Sequence, residues 1–516
     1  MATVDAPADA PPLSIGGSGS PGLARNALGL GGLLFCVATA AAPLTAMLFN
    51  VPIATMGAGS AGPAAFLVAT LMLTVFAVGY VAMARRVTTT GGFYSFVSHS
   101  FGRVLGLGTA GLITFSYALF TAALAATFGY FASTTVRDFT GVDLPAWLYV
   151  FAGIAAVTVL AYFHIHLTSR LLGVTLISEL VVLLVFGVAV LIHGGDSGIP
   201  AQAINPLQLP DNSEAVRVFG AAGVGVALFG AFWSWVGFEM APNYAEETTE
   251  SRRLMGVVTY ASVIGLGLVY VFISWMFVAG WGAGKVADGV AAQFKGTYAS
   301  AFYPLTDRYV GHGLTRLFEI LIVTSCFACT LAFYNTASRY LFAMGREGIL
   351  PRWLARTHDR HRSPYVASLV LTAAVTGYAV AFTLYDPTTT GTLAKFATWT
   401  PLLAVSGLLA VQALVSFGIV WYFWRQARED FHWWRTLVAP ALGGLAMVFS
   451  LVLLYRNRET LAGAKNVPFV TLIPAITLLV FLAGVGLAVW FRLRDPARYG
   501  AVGRFVHEDA LTEEPA

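Results

Sequence analysis

Charge is scarce in this chain. Asp, Glu, Lys and Arg together make up 11% of its 516 residues, against about 25% in soluble domains. Hydrophobic residues reach 57% and the mean hydropathy is +0.73, so the composition is that of a polytopic membrane protein. Cysteine is almost absent. Cys36, Cys326 and Cys329 all fall in apolar segments, which excludes a disulfide framework and a zinc site. The Cys326/Cys329 spacing reads as small packing residues. The net charge of +4 is spread over loops and offers no concentrated field for nucleic acid. No phosphate-binding or dinucleotide motif is present, no set of His and acids suggests catalysis, and nothing resembles a repeated ion filter. The expectation is a protein that is not an enzyme and has no cofactor or bound metal.

What is there is a series of apolar runs. Twelve reach spanning length: 28–56, 62–84, 104–132, 145–164, 171–192, 215–238, 256–281, 316–343, 365–385, 392–424, 434–455 and 469–491. Residues 1–25 are rich in Ala, Pro, Gly and Ser and lack the basic start of a signal peptide, so they read as a disordered tail. With that tail inside, about two-thirds of the 30 basic residues fall on the inner side. The positive-inside rule then places both termini in the cytoplasm of a cell whose inner (plasma) membrane the chain crosses. The basic cluster of Arg352, Arg356, Arg360 and Arg362 fits the anionic inner leaflet. The outer loop 282–315 reads either as short helices covering the bundle or as a flexible connection.

Two runs are irregular. In the sixth, Phe232, Trp233 and Trp235 crowd the approach to Gly237, and the ionisable Glu239 follows. A carboxyl at membrane depth is costly and by default functional. A neighbouring glycine permits unwinding, and unwound backbone survives there only where it lines a cavity or is buried in protein. The alternative is a helix that ends at the headgroups behind an aromatic belt. In the first run, Pro43 interrupts a stretch of small residues beside Thr45, removing a helix hydrogen bond. Matching interruptions five helices apart are the pattern of a transporter site.

Three stretches then carry a family likeness: ARRVTTTGGFYSFVSHSFGRVLG after the second run, AFWSWVGFEMAPNYAEETTESRR at the sixth, and ASRYLFAMGREGILPRWLARTHDRHRSPYVA from the eighth to the ninth. In this order the chain resembles the amino acid–polyamine–organocation (APC) transporter superfamily, over roughly residues 26–495. The resemblance implies an all-α membrane protein of twelve helices with the LeuT-like five-plus-five inverted repeat and discontinuous helices 1 and 6. Residues 26–193 would form the first repeat, 194–425 the second, 426–495 helices 11 and 12, and 496–516 a second cytoplasmic tail. It implies a secondary transporter working by alternating access on amino acids, polyamines or related amines. A membrane sensor of the same ligands is the alternative.

Carried over by position, the resemblance puts the helix-1 break at Ala41–Ala46 and the helix-6 break at Trp233–Glu239. The substrate-binding candidates at these breaks are Ala42, Pro43, Leu44, Thr45, Phe232, Trp233, Ser234, Trp235 and Gly237. Trp233 matches an aromatic gate and Phe333 a second aromatic near the cavity, while Tyr117 is placed to reach it. Glu239 matches an acid linked to pH sensing. Where many relatives have Gly-x-Gly at the first break, this chain has Ala-Pro-Leu-Thr, and proline donates no N–H. That departure is similar to the putrescine-importer branch. A cationic substrate would find a carboxylate in Glu239 and cation–π faces in Trp233 and Trp235, each worth about 0.5–2 kcal/mol. Arg170 lies near the place where some proton-coupled relatives put a basic residue, and equally suits an inner-surface anchor. Glu179, deeper in helix 5, is a rival proton carrier. Proton coupling or exchange, in a lipid bilayer, is the expected mode.

Overall fold

The structure is a computed structural model, and it describes residues 29–87, 91–162, 165–211, 213–220, 223–248 and 251–502. Among these residues it is all helix, with no strand beyond an isolated bridge position at Thr248. The helices that position the site are α1 (Leu30–Ala40), α2 (Pro43–Ala58), α3 (Gly62–Arg86), α4 (Gly92–Phe101), α5 (Arg103–Thr140), α6 (Ala146–Tyr162) and α7 (Ile165–His193). After them come α8 (Ser213–Phe219), α9 (Val224–Trp233), α10 (Ser251–Tyr260), α11 (Leu266–Trp281), α12 (Val286–Phe294), α13 (Tyr303–Tyr309) and α14 (His312–Arg346). The chain closes with α15 (Tyr365–Tyr385), α16 (Ala397–Arg425), α17 (Ala439–Ala462) and α18 (Ile473–Arg494).

Ten stretches of the described residues are long and apolar enough to cross a bilayer. One of them, Leu30–Arg86, runs for 57 residues through three helices, and Ala146–Tyr162 is a shorter apolar helix of 17. The twelve expected passes correspond to these if the 57-residue stretch is counted twice and the 17-residue helix once. The sixth run begins later than expected, at Val224 instead of 215, because Gly220 adopts a positive φ of 72° and ends α8.

Burial sorts the bundle. In α5 the apolar window is 78% buried, against 17% in α18 and 28% in α15. The first therefore lies inside the bundle and the other two form the perimeter. At 38 residues, α5 is about 57 Å long, well beyond the ~30 Å hydrocarbon core, so it must tilt or project. It packs against α4, α6, α14, α16 and α18. α4 is held at its start by Gly92, whose φ of +47° places its α-carbon where a Cβ would come within 2.4 Å of Asn243 Oδ1 and 2.7 Å of Tyr340 Oη. No other residue fits there without displacing both partners.

The loop 282–315 forms α12 and α13. Phe302 stacks on Phe277 at 4.5 Å between ring centroids, and Ala301, Phe302 and Tyr303 are buried. Asp196, in the α7–α8 connection, accepts from Lys285 at 2.7 Å and Arg308 at 3.0 Å. The hydrogen bond from Lys285 chiefly holds its carboxyl below the usual carboxylate range. Two connections are thereby tied together on one side of the bundle.

Candidate functional site

The site begins at two places where helical backbone stops inside the bundle. α1 ends at Ala40, and Ala42 sits in the left-handed region at φ 40°, ψ 73°. Pro43 then opens α2, a position that tolerates its missing N–H. The second interruption follows Trp233, where α9 gives way to turns through Gly237 at φ +121° and then to a 3-10 segment, Phe238–Glu247. A Cβ on Gly237 would stand 2.6 Å from Ala40 Cβ and 2.9 Å from Ala40 C, so the two breaks touch through a glycine.

The polar groups set free at the first break are answered by other helices. Leu44 N–H donates to Glu179 Oε2 at 3.0 Å. Thr45 N–H donates to Ser325 Oγ at 3.3 Å, and the Thr45 hydroxyl donates to the same atom at 2.8 Å. The carbonyl of Ala41 accepts from Tyr270 Oη at 3.1 Å, and that of Ala40 accepts from Cys329 Sγ at 3.0 Å. Satisfied backbone is what membrane depth demands.

The second break is answered both from within and from other helices. Glu239, 2% exposed, accepts the Gly237 N–H at 3.0 Å on Oε2 and the Tyr117 hydroxyl at 2.9 Å on Oε1. Its carbonyl accepts from Tyr80 Oη at 2.6 Å. Ser234 Oγ accepts from Asn50 Nδ2 at 3.0 Å and donates to the Gly230 carbonyl, joining α9 to α2.

Between the breaks lies a small cavity of about 30 Å³. Of the expected residues, Ala42, Thr45, Trp233 and Phe333 line it. Pro43 and Leu44 adjoin it through the break. Trp233 meets Phe49 edge-on at 5.2 Å between centroids, and Phe333 packs on Phe120 at 5.1 Å and Tyr117 at 5.8 Å. Phe232 and Trp235 instead line a separate crevice with Leu73, Val405 and Gln412. Trp235 donates its indole N–H to the Val263 carbonyl at 3.1 Å and abuts Tyr270. Tyr117, Ser234, Gly237, Glu179 and Glu239 lie outside the cavity wall and support it. Arg170 falls where the side chains of α7 are outside the described residues.

Asn50, Phe49, Leu124, Thr127 and Cys329 line the cavity and were not anticipated. Asn50 Oδ1 is buried without a hydrogen-bond partner. An amide in an apolar run was the available signal. Cys329, read as a packing residue, both lines the cavity and caps a carbonyl. None of the residues lining the cavity is charged. The site offers a buried amide oxygen, a threonine hydroxyl and aromatic faces, a lining suited to a small organic solute held by shape and hydrogen bonds. Among the described residues no group of His, Cys, Asp and Glu is placed to hold a metal.

A branched-chain amino acid permease of Bacillus subtilis (strain 168) is 23% identical over 463 residues, 84% of this chain and 86% of that protein. A low-affinity putrescine importer of Escherichia coli (strain K12) is 21% identical over 378 residues, 71% of this chain and 75% of that protein. A methylthioribose transporter of Bacillus subtilis (strain 168) is 22% identical over 366 residues, 66% and 73% of the two chains. The family described as amino acid permease matches residues 32–482, the interval that contains both breaks, the cavity and the helices that hold them. The chain belongs to the amino acid permease family: it is a multi-pass membrane permease of the APC superfamily, with a helical architecture that fits the LeuT-like fold.

Proposed function

We propose that this permease carries an amino acid, polyamine or related organic amine across the cell's inner membrane by alternating access, with the cavity between the two helix breaks as its substrate site. The observation that carries this reading is the meeting of both interruptions at one cavity, lined by Ala42, Thr45, Trp233 and Phe333. Trp233 acts as a gate: it is partly exposed, packed against Phe49 and Phe229, and placed at the last residue of α9. Residues 26–193 and 194–425 form the two repeats, twelve helices cross the bilayer, and both termini lie in the cytoplasm, as the basic residues favour. Coupling is to protons or to a counter-substrate. Glu239 and Glu179 are the intramembrane carboxyls available for it, each bonded to a backbone N–H at one break.

The test is counterflow in proteoliposomes made with the full-length protein. Vesicles loaded in turn with neutral, acidic and basic amino acids and with putrescine are assayed for exchange of each labelled counterpart. Exchange of at least one class, abolished or greatly slowed by Trp233→Ala in folded protein, is the expected outcome. Silence across the panel from folded protein would overturn the reading and favour a sensor that binds such ligands without moving them.

A further inference from the structure

A helix that starts inside a membrane protein presents free N–H groups and the positive end of its dipole, and so attracts anions. α2 starts in this way, yet none of its first donors is free. Pro43 has no N–H, Leu44 N–H is taken by Glu179 Oε2, Thr45 N–H by Ser325 Oγ, and Ala46 N–H by the Ala42 carbonyl. Glu179 comes from α7, 135 positions along the chain, and is fully buried. Its second oxygen, Oε1, has no hydrogen-bond partner. A side chain from a distant helix therefore occupies the place at which α2 would receive an anion. The second break repeats the arrangement, because the Gly237 N–H donates to Glu239 Oε2.

The cavity wall adds a complementary preference. It contains no Lys or Arg, and Asn50 Oδ1 is an acceptor without a donor. Thr45, beside Leu44, lines the cavity and reaches Ser325 behind it. An incoming carboxylate would find no cation on the wall, no free N–H at the start of α2, and a fixed acid at each break.

We propose that Glu179 is a built-in substitute for a substrate carboxylate, and that it restricts this carrier to solutes without one: primary amines, polyamines and neutral polar molecules. The inference rests on the carrier reading above and narrows its substrate class. Glu179 is a specificity-determining residue, acting from behind the wall through the α2 N-terminus. Like charges brought together in a buried site exclude the wrong partner more strongly than they help the right one.

The experiment uses matched pairs that differ by the carboxylate: putrescine against ornithine, and isoamylamine against leucine. Each is tested as a competitor of exchange in proteoliposomes and as a thermal stabiliser of the purified protein. In the wild type the member without a carboxylate should act at concentrations at least roughly tenfold lower. Glu179→Gln, which keeps the shape and an acceptor for Leu44 N–H, should narrow that ratio. Glu179→Ala, which frees the N–H, should narrow it further, to about threefold or less.

A purely structural role for Glu179 would weaken both members of each pair alike and leave the ratio unchanged, overturning the proposal. A wild type that prefers the α-amino acid members would overturn it too, while leaving the carrier reading intact. If folded protein exchanges none of the probes, the carrier reading falls and this inference falls with it. If Glu179→Ala does not fold, the Glu179→Gln ratio decides.

Discussion

The two helix breaks solve one problem in opposite ways. At the first, four of the exposed backbone groups are met by side chains from distant helices: Glu179 from α7, Ser325 and Cys329 from α14, Tyr270 from α11. At the second, the carboxyl of Glu239 folds back on Gly237 two residues away, and most remaining bonds are local turns. The first break is anchored to three helices. The second carries a cap of its own but is tied to the bundle as well, through Tyr117 and Tyr80 to Glu239, Asn50 to Ser234, and Trp235 to the Val263 carbonyl. Between the two anchored breaks the Trp233 ring is held by contacts with Phe49 and Phe229, an arrangement suited to a movable gate.

The contrast can be broken most severely at Gly237. Gly237→Val would need a β-branched residue at φ +121° and within 2.6 Å of Ala40 Cβ, adding strain of about 1–3 kcal/mol before any clash is counted. We expect loss of folded protein, measured by detergent size-exclusion chromatography. Near-normal yield and melting temperature would show that the breaks do not depend on that contact.

Glu239→Ala should come next. It removes the acceptor from both Tyr117 Oη and Gly237 N–H, at about 1–3 kcal/mol for each group left unsatisfied. Glu239→Gln keeps an acceptor, so it should fold while flattening the pH dependence of transport. An unchanged pH profile would move the proton site to Glu179.

Ser325→Ala tests the anchored break. It strips the acceptor from the Thr45 N–H and hydroxyl and should lower stability by about 1–3 kcal/mol, with transport falling in proportion to folded protein. Trp233→Ala, at the second break, should show the converse: folded protein close to wild type and transport reduced at least roughly tenfold. Equal losses of fold and activity in Trp233→Ala would remove the distinction between the two breaks.

The smallest effect belongs far from both. Asp386, whose carboxyl is pushed down to about 2 chiefly by its hydrogen bond from Lys395 at 2.7 Å, sits between α15 and α16. Because the folded value lies below the unfolded one, its contribution is present above the ordinary carboxylate range and is lost only as pH falls towards 2. Asp386→Asn should therefore cost at most about 1 kcal/mol at neutral pH and leave transport unaltered, as read by thermal unfolding and counterflow.

Much of the fold was legible because hydropathy reports burial in lipid directly. The span at 365–385 coincides with α15, and the interruptions at Pro43 and Gly237 were marked by residues with unusual backbone requirements. Legibility failed where contacts depend on how helices cross. Trp233 and Phe333 face the cavity, but Phe232 and Trp235, neighbours in the same aromatic cluster, line a separate crevice. Hydrophobicity alone does not distinguish those faces. Asn50 and Thr127 looked like single polar residues in apolar runs, and only the approach of α2 and α5 to α9 and α14 brings them to one wall. The bond from Leu44 to Glu179 has no local signature, since its partners are 135 residues apart.

The cavity's size has a kinetic consequence. At about 30 Å³ the cavity is far smaller than the roughly 300 Å³ or more of ordinary small-molecule sites, so an organic solute fits there only when Trp233, Phe333 and their neighbours on the wall move outward. Anything that stiffens that wall should slow transport before it weakens the fold.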